Sequence, residues 1–471
     1  MVLRSRLLLV GSLALGVVGC AGTAPSKPAL ALAMPEVYQA ALPVTASAAA
    51  DAVKSEVWWQ AYGSSELNRL ISQALTTNPD LKIAASQVVQ ARLRADQVGA
   101  GRLPTLTAPV RAAVGSGTGG EALQNSQASL QGTYRVDIWG EQSAQSESAE
   151  RLVWRAIYER ENLQRNLTPA LVSTYISYLV ASDSVSIARE NETIAKDILQ
   201  TVERRMAAGD ATLEELEQQR TALYLQQATL PGLENQREDL RNALSRLVGV
   251  LPRDIVLLSS SVDQLTTPTV DVGLPSRLLL NRPDIRVVEA RMQAANANIA
   301  VARARLLPPV DLALQSGYNG LGLGQLLQPQ NLFWNGVASL AVTIFDGGRR
   351  DADKALAQAA YEEMVITYGQ TVYQAIRDVE SALTGLRSAN LRLDAQKRAT
   401  RSALSLLGVN VEAYSLGATD LMTLLEARRA YQRSMDESKR AKADALNSYA
   451  KLSQALGMEN GSETVERYSS R

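Results

Sequence analysis

The sequence contains no histidine and a single cysteine, Cys20, in 471 residues. Histidine is the side chain that changes charge near neutral pH and the commonest metal ligand. Its absence excludes Ser-His-Asp catalysis and histidine-based zinc sites. One cysteine rules out a disulfide within the chain. Aromatic residues are 5% of the total, low for the core of a compact enzyme. Neither sign of charge is in excess, with 48 basic and 48 acidic residues, so the basic footprint of a nucleic-acid binder is missing. Carboxylate-only chemistry stays formally open, but no compact acidic cluster stands out, and no enzymatic activity is expected. The remaining 46% hydrophobic content is ample for a large core.

The chain opens with "MVLRSRLLLVGSLALGVVGC". Arg4 and Arg6 precede an apolar run from Leu7 to Val18, the layout of a secretory signal over residues 1–19. The run is too short to span a membrane as a helix. "VVGC" resembles a bacterial lipobox, which implies cleavage before Cys20 and a covalent lipid on it, with no other cofactor expected. The alternative is an ordinary signal whose apolar run happens to end in cysteine. Ala21 rather than aspartate follows, which by the same resemblance implies sorting to the outer membrane. Residues 20–56 are rich in Ala, Pro and small polar residues and form an expected extended tether.

The rest of the chain is written twice. "NPDLKIAASQVVQARLRADQVGAGRLPTLTA" at 78–108 lies without gaps over "RPDIRVVEARMQAANANIAVARARLLPPVDL" at 282–312. Pro79, Asp80 and Pro104 match Pro283, Asp284 and Pro308. "AGDATLEELEQQRTAL" and "LGATDLMTLLEARRAY" then repeat one glycine turn, with Gly209, Leu213 and Arg220 answering Gly417, Leu421 and Arg428. Gly249 and Gly457 close the two halves. A spacing that drifts so little requires one topology built twice. The expected units are repeat 1 at 57–250, an irregular connector at 251–274, repeat 2 at 275–457, and a tail at 458–471.

Each repeat opens with a helix at Pro-Asp, where proline suits the first turn and aspartate the positive end of the dipole. Two extended segments follow, expected at about 103–115 and 127–139, and at 308–318 and 336–346. Then come a very long helix, a glycine turn and a helix of about forty residues. Residues 349–416 lack proline and repeat apolar residues at helical spacing, from Leu356 and Ile366 to Val372, Val379 and Leu383. Such a helix would be roughly 100 Å long and needs parallel neighbours to cover its stripe. Its counterpart at 141–208 contains Pro169, a candidate kink.

Three of the extended segments alternate. Leu106, Val110 and Val114 interleave with Thr105, Thr107 and Arg111; Leu130, Tyr134 and Val136 with Gln131, Thr133 and Arg135; Leu312 and Leu314 with Asp311 and Gln315. The fourth, "GVASLAVTIFD", alternates poorly. Period two over about ten residues fits a strand with one wet and one apolar face, as in a membrane barrel. It also fits a soluble sheet packed on helices. Two hairpins per chain leave unpaired edges, which closure with further copies would satisfy.

At these residues the sequence resembles the TolC-like outer-membrane efflux family, and within it the NodT-type lipoprotein branch. The carriers are Cys20, "WWQAYGSSELNRLISQALTTNPDL" at 58–81, "RPDI" at 282–285, the paired strands and "GATDLMTLLEARR". The resemblance implies an α+β membrane protein: a homotrimer forming a twelve-stranded barrel in the outer membrane, continued by a periplasmic helical barrel. It implies passive export, including multidrug export, with a periplasmic adaptor and an inner-membrane pump. The glycine turns become hairpin tips, at 206–213 and 414–421, whose Gly209, Asp210, Leu213, Gly417, Ala418 and Leu421 would meet the adaptor. Glu426 and Met422, four residues apart on one helix face, occupy the places of the family's gate lining. Glu215 is a further candidate for the acidic ring. The alternative for Glu426 is a solvated helix face. The rival function is a periplasmic coiled-coil adaptor lipoprotein, which would carry one helical hairpin rather than two.

Overall fold

The computed structural model describes residues 57–116, 122–268, 282–321, 324 and 326–458. The expected signal (1–19), the whole tether (20–56) with Cys20, part of the connector and the tail beyond Met458 lie outside the described residues. Repeat 1 comprises α1 (Ser65–Thr77), α2 (Pro79–Ala100), β1 (Thr105–Thr107), β2 (Val110–Ser116), β3 (Ala122–Val136), α3 (Glu141–Ala207) and α4 (Leu213–Val248). Repeat 2 comprises α5 (Pro283–Ala304), β4 (Val310–Gly320), β5 (Leu332–Leu340), α6 (Arg349–Ser415) and α7 (Leu421–Leu456).

Local chemistry explains where the helices begin and end. Ser64 caps α1 by accepting from the Leu67 N–H at 3.1 Å, and Asn78 caps α2 by accepting from the Leu81 N–H at 3.1 Å. α3 and α6 have 67 residues each, or about 100 Å of helix. α3 runs on through Pro169 and α4 through Pro231. The four long helices of the two repeats end in one motif. Gly209, Gly249, Gly417 and Gly457 all have positive φ. At each, the next residue's N–H returns to a carbonyl five residues back, as Asp210 does to Arg205 at 2.8 Å and Ala418 to Ala413 at 2.8 Å. A left-handed residue is required there, and glycine adopts it without a Cβ penalty.

The largest apolar cluster sits where α1, α3, α4 and α7 meet. Tyr62, Leu67, Leu70, Leu171, Tyr175, Ile176, Leu179, Leu244 and Leu446 are fully buried there. Trp58 and Trp59 pack edge to face at 5.8 Å, and the Tyr62 hydroxyl donates to the Leu446 carbonyl at 2.9 Å. The described part of the connector, expected to be irregular, is strapped to this core. Its Val262 N–H donates to Asp183 of α3 at 2.9 Å, and Asp263 pairs with Lys439 and Lys442 of α7. Buried Glu66 of α1 accepts from the Leu258 and Ser259 N–H groups and the Tyr175 hydroxyl.

The strands form one antiparallel sheet in the order β1/β2, β3, β4, β5. Three of the four expected segments shift at their ends, and the first is divided. It breaks at Ala108–Pro109, because proline has no N–H to give the ladder. β3 spans Ala122–Val136 rather than 127–139, because Asp137 turns away to accept from the Gln142 and Ser143 N–H groups at the start of α3. β4 runs Val310–Gly320 instead of 308–318. β5 runs Leu332–Leu340 instead of 336–346. Leu340 pairs with Val310, the first residue of β4, and before Val310 stand Pro308 and Pro309, which cannot donate.

Candidate channel wall and entrance

The strand register sorts side chains onto two faces. Tyr134, Leu312 and Ala338 share a row, as do Leu130, Ser316 and Trp334. The alternate rows are Arg135–Asp311–Ser339 and Gln131–Gln315–Asn335. One face is therefore mainly apolar and the other mainly polar. The poorly alternating fourth segment falls into line, because Asn335 and Ser339 lie on the polar side and Leu332, Trp334 and Leu340 on the apolar side; Phe333 and Val337 are the exceptions. The apolar face has no cover: Leu314 is 60% exposed, Leu340 61% and Trp334 77%. Water penalises such a surface at about 25 cal/mol per Å², and a hydrocarbon environment removes that penalty. Arg135 grips Asp311 with two hydrogen bonds, 2.7 and 3.2 Å.

The sheet passes into helices through a charged junction. The Trp139 ring N–H donates to the Pro308 carbonyl at 2.7 Å, and Arg305 pairs with Glu141 at 2.9 Å. Trp139 thus marks the strand-to-helix joint. Phe345, at the corresponding place in repeat 2, is 89% exposed.

The tips bring the other expected residues into view. Gly209 and Gly417 are the left-handed turn residues, with φ of 83° and 70°. Asp210, Leu213 and Ala418 are exposed and Leu421 half-buried. Asp420 caps α7 by accepting from the Thr423 N–H at 2.7 Å. That hydrogen bond holds the fully exposed Asp420 carboxyl below the usual carboxylate range. Glu426 and Met422 are both exposed on α7, while Leu425 and Ala427 beside them are buried. Glu215 has a different local use. Its carboxylate accepts from the Thr212 N–H at 3.3 Å while Thr212 Oγ1 accepts from the Glu215 N–H at 3.2 Å. This reciprocal cap was legible in the Thr-x-x-Glu spacing. Between α3, α4 and α7 lies an open groove of about 690 Å³, with Ile187, Ile194 and Leu233 on one side and Arg428, Arg429 and Arg433 on the other. Among the described residues, no group of three or more His, Cys, Asp or Glu side chains could hold a metal ion.

Two charged joints escaped the sequence reading. Buried Arg282, just before the Pro-Asp start of α5, binds Asp284 at 2.7 Å, Asp378 of α6 at 3.0 Å and the Ala455 carbonyl of α7 at 3.1 Å. Arg165 of α3 reaches Asp284 at 3.1 Å and the Gln454 carbonyl at 3.2 Å. "RPDI" signalled the helix start, but nothing local announced partners 96 to 289 residues away.

A family model described as outer membrane efflux protein matches residues 70–250 and 274–458, one match to each repeat. The pyoverdine export outer membrane protein OpmQ of Pseudomonas putida is 31% identical over 464 residues, covering 96% of this chain and 97% of OpmQ. SilC of Salmonella typhimurium, described as a probable outer membrane lipoprotein, is 27% identical over 378 residues, 79% of this chain and 81% of SilC. Among solved structures, the outer-membrane channel OprN superposes with a TM-score of 0.80 at 26% identity, covering 90% of this chain and 98% of OprN.

Proposed function

The chain belongs to the outer membrane efflux protein family, and from that premise we propose that three copies close their sheets edge to edge into one twelve-stranded barrel. The outer strands of the sheet, β2 and β5, leave rows of backbone groups without a strand partner among the described residues, and unpaired edges demand closure in a membrane. The observation that carries the assembly is the two-faced sheet, apolar and uncovered on one side and polar on the other. The helices support it. α6 buries Val372, Ala375 and Val379 against its own neighbours yet leaves Leu356, Ile366 and Leu391 at least 63% exposed, a second stripe for a sister copy.

In this assembly the long helices form a periplasmic duct. Small molecules delivered by an inner-membrane pump enter it through a periplasmic adaptor and leave through the barrel. Cys20 carries the lipid that anchors each copy, each buried CH₂ adding about 0.8 kcal/mol. Gly209, Asp210, Leu213, Gly417, Ala418 and Leu421 meet the adaptor, whose helices fit the groove between the two hairpins. Glu426 and Met422 line the entrance, where three carboxylates favour cations. Glu215 contributes to the tip mainly as a helix cap. OpmQ's name gives its cargo as pyoverdine, and a small organic molecule is the cargo we assign here.

The test is electrophoresis and bilayer recording of protein purified from outer membranes. The assembly predicts a trimer that migrates as one species until heated and that conducts ions. A monomer that is indifferent to heating and forms no channel contradicts it.

A further inference from the structure

The polar face of the sheet carries three charges among the described residues: Arg111, Arg135 and Asp311. Arg135 and Asp311 neutralise each other. Arg111 is different. It is exposed, pairs in register with Gln127 of β3, and has no carboxylate partner among the described residues. Gln127 lies eight strand positions from Arg135, roughly 27 Å along the sheet, so Asp311 is far beyond the screening length of about 8–10 Å.

Closure does not supply a counter-charge. β2 is one edge of the sheet and β5 the other, so a sister copy approaches β2 with its β5. The polar-face residues of β5 are Phe333, Asn335, Val337 and Ser339, none of them acidic. The loop joining β4 to β5, residues 321–331, contains no acid either. The equivalent position in repeat 2 is Gln315, an uncharged amide. The cation therefore occurs once per copy.

We propose that three Arg111 side chains form an uncompensated cationic ring inside the barrel, which makes the outer part of the duct favour anions. This rests on the closed trimer described above. The ring is opposite in sign to the Glu426 ring at the far end, so the two act in series: the entrance favours cations and the barrel favours anions. A passing anion or zwitterion meets this ring only after the helical part of the duct. Arginine suits the task because its guanidinium stays protonated at any physiological pH.

The experiment is reversal-potential recording of the full-length trimer in planar bilayers under a KCl gradient, for wild type, Arg111→Gln and Arg111→Glu. The anion-to-cation permeability ratio should fall about twofold in Arg111→Gln and further in Arg111→Glu, because a few fixed charges dominate a pore only within a screening length. The differences should shrink in 1 M KCl, where that length is about 3 Å. Glu121 stands in the sequence between β2 and β3 and is the acid nearest to Arg111 in the chain. Glu121→Gln should change the ratio by less than Arg111→Gln does. An equal and opposite change would mean that Glu121 cancels the arginine, and would overturn the ring. Channels of normal conductance and unchanged ion preference in Arg111→Glu would overturn it too, while leaving the assembly intact. A wild-type protein that never conducts would overturn both.

Discussion

The two repeats solve the same mechanical problem with different chemistry. In each, the residue before Pro-Asp ties the start of a short helix to the last turn of the repeat's final helix. In repeat 1 that residue is Asn78, whose amide donates to the Leu247 carbonyl at 2.8 Å. In repeat 2 it is Arg282, which donates to Ala455 and gathers Asp284 and Asp378 around itself. Both are 2% exposed. The neutral joint needs only hydrogen bonds within its own repeat. The charged one also draws in Arg165 of repeat 1, so it fastens the two repeats to each other. A duplicated fold thus keeps its backbone geometry while one copy acquires a bond between the copies.

Removing the partner of a buried charge is far more costly than removing a neutral cap. Arg282→Ala should therefore destabilise the protein by about 3 kcal/mol or more, because Asp284 and Asp378 lose their guanidinium. Asn78→Ala should cost about 1–2 kcal/mol. Chemical unfolding of the two variants measures the difference, and equal losses would erase the contrast between the joints.

The glycine turns differ in the same way. A Cβ at Gly249 would stand 2.7 Å from the Thr77 carbonyl oxygen and 2.9 Å from Asn78 Cα, at φ +80°. Gly209 and Gly417 have nothing within 4 Å. Gly249→Ala should cost about 2 kcal/mol or more, adding a backbone clash to the left-handed penalty. Gly209→Ala and Gly417→Ala should cost about 1–2 kcal/mol from the backbone alone. Melting temperatures rank them, and parity would show that the joint can yield.

The joints should also part company in acid. Burial pushes the Asp284 carboxyl up, but the Arg282 hydrogen bonds and the charges of Arg165 and Arg282 outweigh it, leaving Asp284 below its ordinary range. A depressed carboxyl contributes its stability in full above the unfolded value of about 3.9 and loses it as pH falls through the lower folded value. Asn78 does not titrate. Below about pH 4, amides in the last turn of α7 should lose protection before those of α4, by hydrogen exchange corrected for intrinsic rate. Asp284→Asn should abolish that acid-dependent gap.

The smallest effect expected is at the tips. Glu426→Gln should weaken the cation preference of the entrance with little change in stability. Glu215→Gln should leave ion preference nearly unchanged, since a glutamine can still accept from the Thr212 N–H. Bilayer recording separates them.

What the sequence disclosed follows from the range of the forces involved. The repeats, the glycine turns and the long helices depend on residues a few positions apart, and all were legible. So was the alternation of Leu130, Tyr134 and Val136. The end of β5 was not, because it is set by Val310 on another strand and by two prolines beyond it. Arg282 was visible only as a helix start, since Asp378 and Ala455 lie about a hundred and a hundred and seventy residues onward. The cap made by Glu215 is local too, and its Thr-x-x-Glu spacing signals it. Arg111 stood in the alternating pattern from the outset, but its isolation emerged only from the register.

The central claim is that one copy is incomplete and that sister copies cover its exposed apolar faces and sheet edges. Native mass measurement of detergent-extracted protein tests this most directly. The account predicts particles of three chains that withstand mild detergent and separate on heating. A single chain that stays folded and soluble after the detergent is removed would contradict it.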